Sequence, residues 1–181
     1  REFSKEKILN QDDWLMELNT IIDIGNLTND NLQRVHQLFN KTNQFNLTTR
    51  RLSEDEINKY YSKDENELIT IDVKDKFGNL GLVGIIGLSK TKDTTLNVVD
   101  LILSCRAMGR GIEESMLYLI SKKVKDIFAK RFLINYKKSA KNNPILHFLK
   151  SSKLENEGNK FFSTNLNYFL KPNSVKIVYK N

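Results

Sequence analysis

The sequence predicts a single α+β domain in which helices flank a mixed, mostly antiparallel sheet. Three observations predict it. Residues 68–103 hold three strand-like segments in succession with no helix between them. One long amphipathic helix, Ile112 to Phe128, follows them and leads into a further short strand. The chain has 181 residues, one domain's length, enough to bury roughly 70% of the surface its unfolded form exposes. Doubly wound folds alternate strand and helix throughout, and this order does not.

Each element has a local reason. Residues 3–18 are expected to form a short helix, so 1–17 reads as a segment leading into a domain over 18–181. Leu18 to Ile24 is β-rich and stops at Gly25-Asn26. Thr28 or Asn29 caps a helix that carries Leu32, Val35, Leu38 and Phe39 at helical spacing. Ser53-Glu-Asp-Glu56 is a capping box that opens a second helix through Tyr61. Leu68 to Val73 alternates as a strand, Phe77 to Gly81 turns the chain, and Leu82 to Leu88 is a buried apolar strand. In Thr95 to Leu103 the side chains Leu96, Val98, Asp100 and Ile102 alternate against Val99, Leu101 and Leu103. Phe132 to Tyr136 is a short strand, Pro144 suits the start of a helix, and strands at Phe161-Phe162 and Val175 to Tyr179 close the chain.

Composition narrows the function classes. Hydrophobic residues make up 39% and charged residues 28%, which excludes a disordered or low-complexity chain. No apolar run approaches the ~20 residues of a membrane span, and residues 1–11 lack the apolar stretch of a secretory leader. One cysteine, Cys105, permits no internal disulfide and suits a reducing cytoplasm. Two histidines and one cysteine lack the paired spacing of a zinc site, so no metal is expected. The chain does not begin with Met, and the expectation is a piece of a longer protein.

Charge is uneven. Residues 1–120 carry 15 basic and 19 acidic side chains, whereas 121–181 carry 14 and 3. The basic last third suits an anionic small molecule, an acidic carrier protein or a plain solvated surface. Nucleic acid is disfavoured, because the cations are nearly all Lys (Lys122, Lys123, Lys125, Lys137, Lys138, Lys141), a point charge rather than a fork that reads bases.

The turn Cys105 to Gly111, between the third consecutive strand and the long helix, packs two glycines and two arginines into Arg106-x-x-Gly109-x-Gly111. Backbone N–H groups at a helix N-terminus favour an anion, and glycines let it approach closely. With the element order, this pattern resembles the acyl-CoA pyrophosphate loop of the GNAT acyltransferases. The resemblance implies a GNAT-like fold, with a pantetheine arm in a V-shaped gap beside the strand Leu101 to Ser104. It assigns Arg106, Met108, Gly109, Arg110 and Gly111 to the pyrophosphate of acyl-CoA or the phosphate of a carrier-bound phosphopantetheine.

A second resemblance is more specific. Lys41-Thr-Asn-Gln-Phe-Asn-Leu-Thr-Thr-Arg50, Phe77-Gly-x-x-Gly-Leu-Val-Gly84, Ser104-Cys-Arg-x-x-Gly-Arg-Gly111, Tyr136 and Lys141-Asn142 resemble, in order, blocks of the C-terminal region of FkbH-like proteins. The resemblance spans roughly residues 14–150; Lys153-Leu-Glu-Asn and Ser139-Ala depart from the family pattern. In that family the GNAT-like region follows a HAD-type phosphatase domain. The pair moves a glyceryl unit from a phosphorylated glycerate to the phosphopantetheine thiol of an acyl carrier protein. The Asp-x-Asp of a HAD domain is absent here, so the resemblance implies an upstream HAD-type partner domain, an acidic acyl carrier protein, and no membrane or nucleic-acid partner.

Candidate side chains follow. Cys105 is either a thioester relay, activated by the helix N-terminus and its flanking arginines, or a small buried strand-end residue. Asn43, Gln44, Asn46, Thr48 and Thr49 offer uncharged donors and acceptors for a hydroxylated acyl group, Arg50 and Arg51 hold a carboxylate or phosphate, and Asn142 joins them by the resemblance. His147, inside an apolar run, is expected as a partly buried structural histidine, and His36 as solvated. Asp100 is either a base or an inward ion pair. Two alternatives stand beside acyl transfer to a carrier: a non-catalytic docking module, and a free-standing acetyl-CoA-dependent N-acyltransferase.

Overall fold

The computed structural model describes residues 12–180. The expected helix over 3–18 is described only from residue 12; 12–17 are helical, and 1–11 lie outside the described residues. The elements run β1 (Thr20–Asn26), α1 (Asn29–Lys41), β2 (Phe45–Asn46), α2 (Glu54–Tyr61), β3 (Asn66–Asp75), β4 (Gly78–Lys90) and β5 (Thr95–Leu103). A one-turn 3-10 helix (Cys105–Ala107) leads to α3 (Ile112–Asp126), β6 (Arg131–Asn135), α4 (Asn143–Ser151), β7 (Glu155–Glu157), β8 (Lys160–Ser163) and β9 (Val175–Tyr179).

The fold is α+β with a mixed sheet ordered β7-β8-β6-β5-β4-β3-β1-β9, and β2 pairs with β5 off this path. Among the described residues only the β5–β6 and β1–β9 pairs are parallel. The local signals hold at their caps. The Ser53 N–H donates to Glu56 Oε2 (2.8 Å) and the Glu56 N–H to Ser53 Oγ (3.3 Å). Asn31 Oδ1 accepts the Thr28 N–H (2.9 Å) at the start of α1, and Pro144 sits in the first turn of α4.

Helices cover both sheet faces. On one face Leu32, Val35, Leu38 and Phe39 of α1 and Ile57 of α2 bury Leu68, Ile85 and Ile102. On the other, Met116, Ile120 and Val124 of α3 and Ile145 and Leu149 of α4 bury Ile71, Val83, Ile86, Leu101 and Leu103. Each buried aliphatic side chain contributes about 1.5–3 kcal/mol, so α3 is anchored by its stripe rather than by propensity.

Two expectations are corrected. The alternation along β5 does not run through. The register slips between Gly87 and Leu88, where the partners jump from Asp100 to Val98. Val99 is the extra residue, so Leu96 and Val98 face the same core as Leu101 and Leu103. The bulge turns Asp100 toward α2. His147 is exposed rather than partly buried, because α4 buries Ile145 and Leu149 and turns position 147 outward. Strands β2 and β7 have no counterpart in the sequence reading.

Candidate functional site

Cys105 is exposed, in the 3-10 turn directly after β5. It opens into a cleft of about 380 Å³. One wall is a single face of α1: Arg34, Gln37, Leu38 and Lys41 recur at helical spacing, and Asn43, Gln44 and Lys141 complete the rim. Among the described residues no carboxylate lines it. Arg34 is held by its Nε–H to the Leu82 carbonyl (2.9 Å) and an Nη1–H to Gln37 Oε1 (3.0 Å). Burial, then the Arg106 charge, pull its pKa below the ordinary arginine value. Arg106 itself is exposed and donates to the Leu80 carbonyl (2.7 Å). The cleft is a cationic recess with one thiol in its lining.

The polar segment 43–51 divides between this cleft and the scaffold. Asn43 and Gln44 face the cleft. Asn46 is 1% exposed; its Nδ2 donates to the Thr42 carbonyl (3.0 Å) and its Oδ1 accepts the Thr49 N–H (2.8 Å). That acceptor holds Thr49 at a positive φ of 52°. Thr48 Oγ1 is buried with no partner among the described residues. Arg51 donates to the Phe39 carbonyl and to Asn43 Oδ1. Asn142 is fully buried and joins three segments. Its Nδ2 donates to the Asn46 (3.0 Å) and Lys137 (2.9 Å) carbonyls, and its Oδ1 accepts from Tyr136 Oη (2.8 Å) and the Ser139 N–H (2.8 Å). These bonds use its capacity as a clamp and leave it no open side for a substrate.

Arg50 meets a protein partner rather than open solvent. Its Nε–H donates to Asp100 Oδ1 (2.8 Å), its Nη2 pairs with Oδ2, and Tyr61 Oη–H donates to the same Oδ2. Burial opposes the charge on Arg50, yet the Asp100 carboxylate holds the guanidinium above its ordinary value. Burial, then Asp100, pushes the Tyr61 phenol well up. Of the two readings for Asp100, the inward ion pair is the one observed. Gly87 is glycine because a Cβ there would stand 2.0 Å from Tyr61 Oη.

The glycine turn lies apart from the thiol cleft. Met108, Gly109 and Gly111 border a second cavity of about 650 Å³, between the start of α3 and Phe45, Phe148 and Pro172. Gly109 (φ 72°) and Gly111 (φ 76°) take the left-handed conformation glycine allows. Arg110 is tied to Asp75, whose side chain is 1% exposed. Glu113 folds back so that its Oε1 accepts the Gly109 N–H (2.7 Å), while its Oε2 is buried without a partner among the described residues. Burial raises the Glu113 pKa above the usual glutamate value. A raised acid favours folding while it is protonated, and that contribution is lost as the pH climbs through the raised value. Thermal melts from about pH 4 to about pH 8 should show wild type losing stability relative to Glu113→Gln as the pH rises. An unchanged difference across that range would contradict the assignment.

The gap beside β5 is filled. β5 and β6 pair only from Thr95–Arg131 to Val98–Ile134. Beyond that point β2 takes the free edge, with Phe45 opposite Leu103 and Asn46 opposite Ile102. The Leu47 N–H donates to the Leu101 carbonyl (3.1 Å), and the Leu47 carbonyl accepts the Lys137 N–H (3.1 Å). Phe45 closes the far side against Phe148, with ring centroids 5.5 Å apart.

Sequence reasoning missed Arg34, Lys41 and Lys141 as cleft cations, Glu113 as the partner of the turn, and Tyr61 as the partner of Asp100. Only Arg34 and Lys41 carried a readable signal, since a separation of seven places them on one helix face. Among the described residues no group of three or more His, Cys, Asp or Glu is placed to hold a metal, and no helix is long and apolar enough to cross a membrane.

No family profile and no curated protein matches the sequence. Solved structures do match. A Vibrio cholerae spermidine N-acetyltransferase in complex with CoA and spermine is 13% identical, with a TM-score of 0.59 over 82% of this chain and 98% of that one. A chimera of the V. cholerae enzyme reaches 0.61 at 13% identity, over 81% and 97%. A domain from Methanocaldococcus jannaschii reaches 0.57 at 16% identity, over 79% and 96%. The strand order, the glycine turn opening α3 and these likenesses agree: the chain has the GNAT acyltransferase fold.

Proposed function

We propose that this chain is the GNAT-like domain of an FkbH-type protein. It moves a glyceryl or similar short acyl group to the phosphopantetheine thiol of an acyl carrier protein, with Cys105 as the relay. The observation that carries the reading is the exposed Cys105 thiol in the lining of a cationic cleft whose rim comes from the signature segment, Lys41 to Gln44. In the first step the Cys105 thiolate attacks the acyl carbonyl, and the donor's leaving group departs with its bonding electrons. The thiol's proton goes to solvent. In the second, the carrier's thiolate attacks the same carbonyl and Cys105 leaves as thiolate, so bonds and charge balance. Asn43 and Gln44 supply donors and acceptors for the hydroxyls of the acyl group.

At the Cys105 cleft, charge argues against an amine acceptor. A polyamine needs carboxylates, and the cleft offers Arg34, Lys41 and Lys141. The same lysines, with exposed Lys137 and Lys138, suit an acidic carrier protein. Docking of a holo-carrier protein should weaken at least about tenfold between roughly 0.05 and 0.5 M salt, measured by fluorescence anisotropy. Affinity indifferent to salt would overturn the docking surface. A second reading, a docking module without chemistry of its own, is favoured by one observation: β2 fills the gap beside β5. A HAD-type partner domain would then carry the catalysis.

A further inference from the structure

We propose that β2 and Glu113 are built-in occupants of the groove in which this fold lays acyl-CoA, so that the chain takes no acyl-CoA there. The argument starts from hydrogen-bond capacity. A pantetheine arm lying beside β5 needs the backbone groups that the strand exposes where it parts from β6. Here β2 pairs with Ile102 and Leu103, and the Leu101 carbonyl accepts the Leu47 N–H. On the opposite side of the inserted segment, Lys137 and Asn142 bond to the Leu47 and Asn46 carbonyls. Residues 45–47 therefore bridge both walls of the gap, and none is more than 1% exposed. Displacing them would strand buried amides and the Asn142 side chain.

At the pyrophosphate end the cavity is open, but its donor is taken and its lining is acidic. The Gly109 N–H, which would face the phosphates, donates to Glu113 Oε1. Glu113 is 8% exposed and its second oxygen has no partner among the described residues. The cavity at this turn presents Glu113, Glu114 and Asp12, and the Arg110 guanidinium of the turn is paired with Asp75. A pyrophosphate would enter against carboxylates rather than cations. The residues present do not fit CoA. The chemistry they leave open lies at the Cys105 cleft, on the far side of β2.

Titration calorimetry with acetyl-CoA is the test, paired with amide hydrogen exchange at Leu47 and Lys137. The expected result is no saturable binding up to about 1 mM, with both amides equally protected with and without ligand. Glu113→Ala frees the Gly109 N–H but leaves β2 in place, and it too should stay unsaturated. Saturation below about 1 mM in either protein would overturn the proposal. Retained exchange protection in the free proteins shows that both are folded. The proposal stands or falls separately from acylation of Cys105, which the mass of the intact chain reads.

Discussion

Asp100→Ala should destabilise the chain by about 3–5 kcal/mol, because it leaves the Arg50 guanidinium partly buried without its counter-charge. The Asp100 side chain is 1% exposed and that of Arg50 30%. One carboxylate receives both the Arg50 fork and the Tyr61 hydroxyl, so its loss also leaves a partly buried phenol short of its acceptor. The Arg50 guanidinium lies 4.9 Å over the Tyr60 ring, which keeps α2 and the 45–50 segment on one anchor. For a chain of this length the loss corresponds to a fall in Tm of about 10 °C. Arg50→Lys, with Asp100 retained, should itself lose part of that stability, since an ammonium cannot match the two-toothed geometry. A fall of less than about 2 °C for Asp100→Ala, measured by calorimetry, would show that the pair is not structural.

Cys105→Ala should lower acyl delivery to a holo-carrier protein by at least about 10³-fold, the scale on which removal of a nucleophile acts. The thiol is exposed and buries no core volume, so the variant should keep the wild-type Tm. It should also keep its affinity for the carrier, because Lys41, Lys137, Lys138 and Lys141 remain. Lost transfer with intact docking separates a relay from a docking module. Transfer at the wild-type rate would remove Cys105 from the chemistry and favour the second reading.

What the sequence discloses here is what short stretches decide by themselves. The Ser53–Glu56 box, the turn glycines and the proline in the first turn of α4 are local chemistry, and each appears where its residues predict it. The apolar periodicity of α1 and α3 decides which face each helix buries. Long-range outcomes stay hidden for a physical reason. A bulge at Val99 changes which face Asp100 looks to, and alternation read from one strand cannot register the slip of its partner. Arg50 and Asp100 are joined across 50 positions, and nothing near either residue announces the other. The polar cluster 43–51 looks like a substrate surface because buried polar clamps and ligand-binding loops use the same residue types. Asn46, Arg50 and Asn142 turn inward, whereas Asn43 and Gln44 remain at the cleft. Likewise Glu113 resembles an ordinary first-turn acid until the turn folds back onto it.

The most direct test is the intact mass of the wild-type chain and of Cys105→Ala after incubation with a small glyceryl thioester, followed by addition of holo-carrier protein. The account predicts one glyceryl adduct on the wild type, located at Cys105 by peptide mapping, lost when the carrier is added and absent from the variant. An adduct equal in both proteins, or none on a wild-type chain that still binds the carrier, would contradict it.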